Sequence, residues 1–276
     1  MSSAVQNSEV VDRPPPQARG WPRERVVGNA LVAIWALFGL GLLLFLIRAW
    51  DPELFAKYAP LYLHGIGVTL SLVAISIVLG AILSLPIAYA RMSRNSVLRA
   101  LSYAYVYFFR GTPLLAQTFL IYYGFGSFRP FLETIGLWTF FREAWYCAIL
   151  AFSLNTAAYQ AEILRGAIES VPRGQWESAA SLGLSKFLTL RKIILPQALI
   201  VALRPYGNEI ILMIKGSAIV AIITVYDLMG ETRRAYSRTF DFQTYIWAAL
   251  IYLSMVETLR HGVEWIERRI TRHLKR

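Results

Sequence analysis

The stretch GIGVTLSLVAISIVLGAILSLPIAYA, from Gly65 to Ala90, contains no charged residue. Its apolar character extends further, because His64 is the only side chain between Lys57 and Arg91 that can carry a charge near neutral pH. A bilayer-spanning helix needs about 20 predominantly apolar residues, and this run exceeds that length. Strands of a membrane barrel would instead show short segments of alternating hydrophobicity. The stretch therefore predicts an all-α integral membrane protein.

The composition of the whole chain agrees with a membrane location. Of the 276 residues, 56% are hydrophobic and 16% are charged, whereas an ordinary soluble domain carries about 25% charged residues. The formal net charge is +11, which in a soluble protein would favour nucleic-acid binding. We interpret these bases as the flanking charges of membrane helices and expect no nucleic-acid partner. The single cysteine, Cys147, excludes a disulfide within the chain.

Six apolar segments are candidate membrane helices. They are Val26–Ile47, Gly65–Ala90, Leu101–Gly124, Ala144–Leu164, Ala198–Tyr226 and Phe242–Leu259. Arg110 and Pro113 interrupt the third segment, and the fifth contains three charged residues. Of the 28 Lys and Arg, eighteen flank the segments on the side that also holds both termini, and seven flank the other side. Because Lys and Arg are enriched in cytoplasmic loops, both termini are expected in the cytoplasm.

The segments also predict the domain organisation. Residues 1–25 are expected to form a polar, disordered cytoplasmic tail, and residues 26–48 an extra amino-terminal transmembrane helix. Residues 64–262 are expected to form the main transmembrane domain, with a polar loop at residues 172–196. Residues 263–276 are expected to form a basic cytoplasmic tail.

The polar loop contains the stretch ESAASLGLSKFLTLRKIILPQAL (Glu177–Leu199), which has the pattern of two short helices. Gly183 suits the position just after a helix, where a left-handed backbone favours glycine. Ser185 can cap a second helix, which ends where Pro196 begins the next element. The alanines of the first helix offer a smooth surface against which another protein can pack closely. The alternative is an interfacial loop whose bases contact lipid head groups.

The spacing within this loop resembles the EAA motif of ABC importer permease subunits. That motif is EAA, three residues, a glycine, nine residues and I-x-LP, and it is reproduced here with Ser178 in place of the first alanine. Three further stretches resemble the polar amino-acid branch of the family, above all its histidine, lysine-arginine-ornithine and opine members. They are FRGTPLLAQTFLIYYG (109–124), NTAAYQAEILRGAIESVPRGQ (155–175) and PYGNEIILMIKGSAIV (205–220). The likeness covers about residues 64–262. Such subunits commonly have five spans, so the first apolar segment is an addition.

The resemblance implies a type I ABC importer permease, a helical bundle of about six transmembrane helices with a cytoplasmic coupling helix. It implies a multi-pass protein of the bacterial cytoplasmic (inner) membrane without a cofactor of its own, because ATP and Mg²⁺ bind to partner subunits. The implied partners are a cytoplasmic ABC ATPase dimer, a second permease subunit (identical or different), a periplasmic or extracellular solute-binding protein and membrane lipid. The residues implied to couple to the ATPase are Glu177, Ser178, Ala179, Ala180, Gly183, Ile193, Leu195 and Pro196.

Polar residues inside the apolar segments are candidates for a solute path, because such residues are costly in a bilayer and face a partner or a water-filled cavity. The candidates are Arg110, Thr112, Gln117, Asn155, Tyr159, Glu162, Asn208, Glu209 and Lys215. The spacing of Asn155, Tyr159 and Glu162 predicts that they share one helix face. The alternative is that these groups pair with one another and lock the bundle. We favour pairing for Glu162, which lies close to Arg165, and the path for Glu209.

These features predict the transmembrane permease subunit of an ABC importer for a polar or basic amino acid or an opine-like derivative. ATP would be hydrolysed by another chain, because no G-x-x-x-x-G-K-[ST] motif occurs. Alternatives are a permease for another small polar solute, a membrane-embedded enzyme and a secondary transporter. An enzyme would need a nucleophile and base, yet the three histidines are scattered and neither G-x-S-x-G nor H-E-x-x-H occurs. We therefore expect no catalytic residue and no metal site. A secondary transporter would show internal repeats, and none is visible.

Overall fold

The computed structural model describes residues 23–48 and 50–273, which fall into two compact units that divide after Asp51. The first unit contains helix α1 (Arg23–Arg48), in which no residue is buried. Its large apolar side chains are exposed around the whole helix, a pattern typical of a membrane span. The helix begins inside the predicted tail at residues 1–25; the remainder of that tail, residues 1–22, lies outside the described residues.

The described part of the second unit is helical throughout and contains no strand, which confirms the predicted all-α class. Its α-helices are α2 (Pro52–Arg91), α3 (Ser96–Gly111), α4 (Leu114–Phe119), α5 (Arg129–Thr134), α6 (Trp138–Phe141), α7 (Ala144–Ser170), α8 (Arg173–Ser181), α9 (Lys186–Thr189), α10 (Leu195–Ser217), α11 (Leu228–Thr239) and α12 (Gln243–Ile270). The π-helical turns Leu120–Gly124 and Leu190–Ile194 continue α4 and α9, and the 3₁₀ turns Ala218–Ile223 and Thr271–His273 continue α10 and α12.

Three helical stretches of the described residues are long and apolar enough to cross a membrane. They are α1, α2 and the continuous helix Lys186–Ile223, while the apolar helix Leu114–Gly124 is shorter. Helices α7 and α12 have 27 and 28 residues, more than the roughly 20 that a span needs, but they are more polar. The predicted third segment is divided: α3 ends at Gly111, and Pro113 precedes α4. The predicted basic tail begins within α12.

The polar loop differs from its prediction at Pro196. The sequence predicts a second short helix that runs until Pro196 begins the next element. Helix α10 does begin here, with Pro196 in its first turn, but no break precedes it, because a π-helical turn joins α9 and α10 into one continuous helix. Proline clashes with a regular helical turn and cannot donate the backbone hydrogen bond that the turn needs. In the wide turn, the N–H of Leu195 donates to the carbonyl of Leu190, five residues earlier. The π turn therefore carries the helix into the proline without a break.

Two apolar cores form along α7. The first core joins α2, α7 and α10 around side chains such as Leu72, Phe152 and Met213. The second, which we call the knob-side core because it adjoins the compact knob formed by residues 173–194, joins the carboxyl-terminal half of α7 to the amino-terminal half of α10 through residues such as Ala161 and Ala198. The stretch of α7 between the two cores carries buried polar side chains. The packing along α7 is thus divided into apolar, polar and apolar layers, and a third apolar core joins α2, α11 and α12.

Helices α2 and α7 form the most extensive helix pair in the bundle, and Gly80 permits their close approach. A Cβ added at Gly80 would overlap Cγ2 of Thr156 and lie 3.0 Å from Nε2 of Gln160. Small residues at such contacts let helix backbones approach each other inside a membrane. By contrast, a Cβ added at Gly67, on the same helix, would meet no atom within 4 Å.

We expect Gly80→Ala to destabilise the protein by about 1–3 kcal/mol, because the added methyl overpacks the contact between α2 and α7. Thermal unfolding of the purified protein in detergent measures this effect. Gly67→Ala is the matched control and should unfold at or above the wild-type temperature, since alanine favours helix formation over glycine. Equal unfolding temperatures for the two variants would show that Gly80 is not a tight contact.

Candidate functional site

The break before α4 leaves a backbone carbonyl without a hydrogen-bond donor from the helix, and side chains donate to it instead. Pro113 has no N–H, so it cannot donate to the carbonyl of Phe109. Instead, Nε2 of Gln117 donates to that oxygen at 2.9 Å and Nδ2 of Asn155 donates to it at 3.0 Å. Gln117 also donates to Oγ1 of Thr112 at 2.7 Å. Three of the predicted polar positions, Thr112, Gln117 and Asn155, therefore form one network around a proline-induced gap.

The network continues through the buried layer. Nδ2 of Asn155 donates to Oε1 of Gln117 at 2.9 Å, and both side chains are almost fully buried. Close by on α7, Oγ1 of Thr156 donates to Oε1 of Glu209 at 2.8 Å. Nε2 of Gln160 donates to Oγ1 of Thr156 at 3.2 Å and to a carbonyl of α2. These groups link α2, α4, α7 and α10 at the level between the two apolar cores.

Glu209 is the buried carboxylate of this layer. Its side chain is 4% exposed, and it forms no ion pair with any residue that the structure describes. A buried carboxylate without a basic partner is unfavourable unless another cation or water compensates it. The position is therefore suited to contact with a cationic group that enters from outside the chain.

Glu162 has the opposite environment, because it is surrounded by bases. Nε and Nη2 of Arg165 donate to its two carboxylate oxygens at 2.7 and 3.0 Å. Nε of Arg91, at the end of α2, lies 3.2 Å from Oε1, and Nη1 of Arg110, at the end of α3, lies 3.7 Å from Oε2. The pairing with Arg165 agrees with the interpretation of Glu162 as a member of a structural cluster, and it joins three helices.

The predicted shared face of α7 is confirmed. Asn155 contacts the end of α3 and α4, the hydroxyl of Tyr159 donates to the carbonyl of Arg110 at 3.4 Å, and Glu162 contacts the Arg110 side chain. The guanidinium of Arg110 also lies over the ring of Tyr159, 5.2 Å from its centroid. All three side chains thus face α3 and α4.

Two predicted path residues lie elsewhere. Asn208 is exposed and lines a cavity between α10 and α12, where Arg204 forms an ion pair with Glu267 at 2.7 Å. Lys215 is exposed and forms no ion pair with the described residues. Both are on α10 but on faces different from that of Glu209, because a helix turns by about 100° per residue. The structure does not bring them into the buried polar layer.

The polar loop folds into a compact element, residues 173–194, which we call the knob. Helix α8 ends in a Schellman motif: the N–H of Gly183 donates to the carbonyl of Ala180 at 2.9 Å, and the N–H of Leu184 donates to that of Ala179 at 3.1 Å. Gly183 has φ of +73°, as its predicted position after the helix requires. The hydroxyl of Ser185 accepts the N–H of Leu188 at 3.3 Å and caps α9. The turn and cap are both confirmed.

The coupling residues predicted from the motif divide into buried and exposed groups. Ala179 is 1% exposed and packs inside the knob, whereas the neighbouring motif residues are accessible; these are Glu177, Ser178, Ala180, Gly183 and Pro196. Ile193 and Leu195 are partly buried. Within the knob, the most exposed of the large apolar side chains are Leu182, 77% exposed, and Phe187, 70% exposed. The motif does not include these two residues. The sequence feature that could have identified them as a contact surface is the presence of two bulky apolar residues close to the turn glycine, Gly183.

Arg91 belongs to this site although sequence reasoning did not consider it as a site residue. Thr156 and Gln160 are polar residues of the fourth apolar segment that were not retained among the path residues. Both lie beside the predicted face of α7. Thr156 donates a hydrogen bond to Glu209, and Gln160 donates one to a backbone carbonyl of α2. Arg91 is the first charged residue after a long uncharged run, which was the available sign that it ends a span. Its contact with Glu162 depends on the packing of α2 against α7, which the spacing along the chain does not reveal.

Comparison with known proteins gives consistent matches. A family described as the binding-protein-dependent transport system inner membrane component matches residues 76–272. The nopaline transport system permease protein NocM of Agrobacterium fabrum is 45% identical over 204 residues, which are 74% of this chain and 85% of that protein. The arginine ABC transporter permease protein ArtM of Escherichia coli is 38% identical over 213 residues, 77% of this chain and 96% of that protein.

Solved structures agree. An amino acid ABC transporter with histidines is similar with a TM-score of 0.71 and 36% identity, over 80% of this chain and 99% of that chain. The MetNI methionine ABC transporter shares the fold, with a TM-score of 0.64 and 20% identity over 76% of this chain and 96% of that chain.

The polar network gives a stability prediction. Asn155→Ala removes one of the two side-chain donors to the carbonyl of Phe109 and the donor to Gln117, so we expect a loss of about 1–3 kcal/mol, the usual range for an unsatisfied buried polar group. The matched control is Ser153→Ala on the same helix, because the buried Oγ of Ser153 has no hydrogen-bond partner among the residues that the structure describes. Thermal unfolding in detergent should separate the two, and an Asn155→Ala protein as stable as the control contradicts the network.

Proposed function

Since this chain belongs to the family of binding-protein-dependent transport system inner membrane components, we propose that it carries an amino acid or an opine through the bacterial cytoplasmic membrane. It is an ABC transporter permease, a transport component. The finer proposal is that separate ATPase subunits bind and hydrolyse ATP, that a solute-binding protein delivers the solute, and that a second permease subunit completes the path. The names of the relatives, which include nopaline, octopine and arginine systems, support this solute class.

The observation that carries the proposal is the buried polar layer between the two apolar cores. A bilayer-spanning bundle gains nothing from a carboxylate such as Glu209 unless a cation meets it. Amino acids and opines bring a cationic amine or guanidinium to such a site. Gln117 and Asn155, which bridge the gap at Pro113, add amide groups that can exchange partners with a passing solute. We place the path along this layer, with Arg110, Thr112, Tyr159 and Glu162 at its end nearer the knob.

The knob is the proposed contact with the ATPase subunits. Its exposed surface combines apolar anchors, Leu182 and Phe187, with the accessible Glu177 and Ala180, whereas Ala179, predicted to be part of a smooth outer surface, is buried. Large apolar side chains at the centre of a contact commonly dominate binding. The knob is joined to the bundle by the knob-side core and by the continuous helix through Pro196, so movement of the knob reaches α10 directly. This arrangement supports coupling of nucleotide-driven motion to the path.

Glu209→Gln tests the proposed path. The variant keeps the shape and the hydrogen bond from Thr156 but removes the charge, so we expect normal expression and ATPase assembly together with reduced uptake, most strongly for cationic solutes. Uptake into proteoliposomes that contain the whole complex is the measurement. Glu257→Gln, which removes an exposed carboxylate paired with Arg260, is the matched control. Normal uptake by a well-expressed Glu209→Gln complex would rule out a charge-dependent path here.

Gly183→Val tests the proposed coupling. A β-branched residue resists the positive φ of this turn at a cost of about 1–2 kcal/mol per residue, so the knob should lose its shape while the membrane helices remain inserted. We expect solute-stimulated ATP hydrolysis and uptake to fall together. The matched control is Gly174→Val in the first turn of α8, where a Cβ would meet no atom within 4 Å. Wild-type assembly and transport in Gly183→Val would refute the role of the turn.

A further inference from the structure

The bases around Glu162 exceed the carboxylates that pair with them. Arg91, Arg110 and Arg165 surround Glu162, and a second carboxylate, that of Glu169, contacts only Arg165. Arg165 donates to both carboxylate oxygens of Glu162 in a bidentate pair, which is the strongest form of an arginine–carboxylate contact. Arg91 and Arg110 are left with longer contacts at 3.2 and 3.7 Å. Guanidinium donors therefore remain available in a partly buried place.

A cavity lies beside these donors. Its volume is about 350 Å³, and it is lined by Arg91, Arg110 and tyrosines of α3 and α7. Glu162 also lines it, and both oxygens of that carboxylate are already paired with Arg165. Arg91 lies over the ring of Tyr103, 5.0 Å from the centroid, and Arg110 lies over that of Tyr159 at 5.2 Å. Stacking on a ring holds a guanidinium in a fixed plane while its edge remains free to donate. Arg91 is 14% exposed, so the edge is shielded from bulk solvent.

We propose that Arg91 and Arg110 form an oxyanion-binding site at the junction of α2, α3 and α7. Two planar guanidinium groups that face one cavity match the geometry of a carboxylate or a phosphate. The ligand is the carboxylate of the transported solute or the phosphate of an anionic lipid. With the solute, the proposal rests on the proposed function and extends it: Glu209 meets the cationic end in the buried layer, and this site receives the acidic end nearer the knob.

The test compares two probes that differ only in the acidic group: arginine, and agmatine, which is arginine without its carboxylate. The complete complex with its ATPase subunits is placed in phosphatidylcholine nanodiscs, and the Kd of each probe is measured. We expect the wild type to bind arginine at least about tenfold more tightly than agmatine, the size of one charge-assisted hydrogen bond. Arg91→Gln should reduce this ratio towards one by weakening arginine alone, and Arg91→Lys should retain part of it.

Arg94→Gln is the matched control. Arg94 lies three residues after Arg91, is exposed and forms no ion pair with the described residues. It should leave the ratio unchanged. The lipid source is tested in nanodiscs that also contain phosphatidylglycerol: native mass measurement counts the phosphatidylglycerol that each complex retains. Retention that Arg91→Gln abolishes and Arg94→Gln does not would identify the phosphate of a lipid as the oxyanion.

The outcomes separate the two proposals. If neither probe binds the wild type, the proposed solute class fails, and the lipid measurement alone then decides the oxyanion site. A wild type that binds arginine and agmatine equally and retains no phosphatidylglycerol would overturn the site. That comparison uses the wild type, so it remains decisive even where Arg91→Gln fails to assemble.

Discussion

The structure depends on the requirement that every backbone polar group inside a bilayer find a partner within the protein. Pro113 breaks this rule locally, because its ring removes one N–H and frees the carbonyl of Phe109. The side-chain amides of Gln117 and Asn155 donate the hydrogen bonds that this carbonyl would otherwise lack, and they thereby join α3, α4 and α7. Polar side chains are therefore drawn to one level of the bundle. The part of the polar layer that contains Gln117 and Asn155 follows from a missing backbone hydrogen bond.

Sequence reasoning succeeds where local geometry fixes the answer. The spacing of Asn155, Tyr159 and Glu162 places them on one face of any α-helix, and Gly183 is the residue that a left-handed turn after α8 accepts. These predictions need no knowledge of neighbouring helices. The membrane class follows in the same way from the long uncharged run. Each of these features is a property of one short segment.

It fails where the answer depends on packing between distant segments. Asn208 and Lys215 are as polar as Glu209, and only the positions of α2, α7 and α12 decide which side chain of α10 is buried. Arg91 reaches Glu162 across 71 positions of the chain, a contact that neither residue signals. A local rule places a helix start at Pro196. That rule does not reveal the π turn that joins α9 to α10 without a break. The fold is needed to show that Leu182 and Phe187 form the exposed apolar surface of the knob while Ala179 is buried within it.

The continuous helix from Lys186 to Ile223 has a mechanical consequence. Its 38 residues would extend about 57 Å at 1.5 Å per residue, roughly twice the thickness of the hydrocarbon core. A rod of that length acts as a lever whose short arm carries the knob. A tilt of about 5° would displace its far end by about 5 Å, close to the pitch of one helical turn. The wide turn at Leu190–Ile194 and the proline inside α10, Pro205, are points where the regular hydrogen bonding is interrupted. The stiffness of these two points would set how much displacement the rod transmits and how much it absorbs.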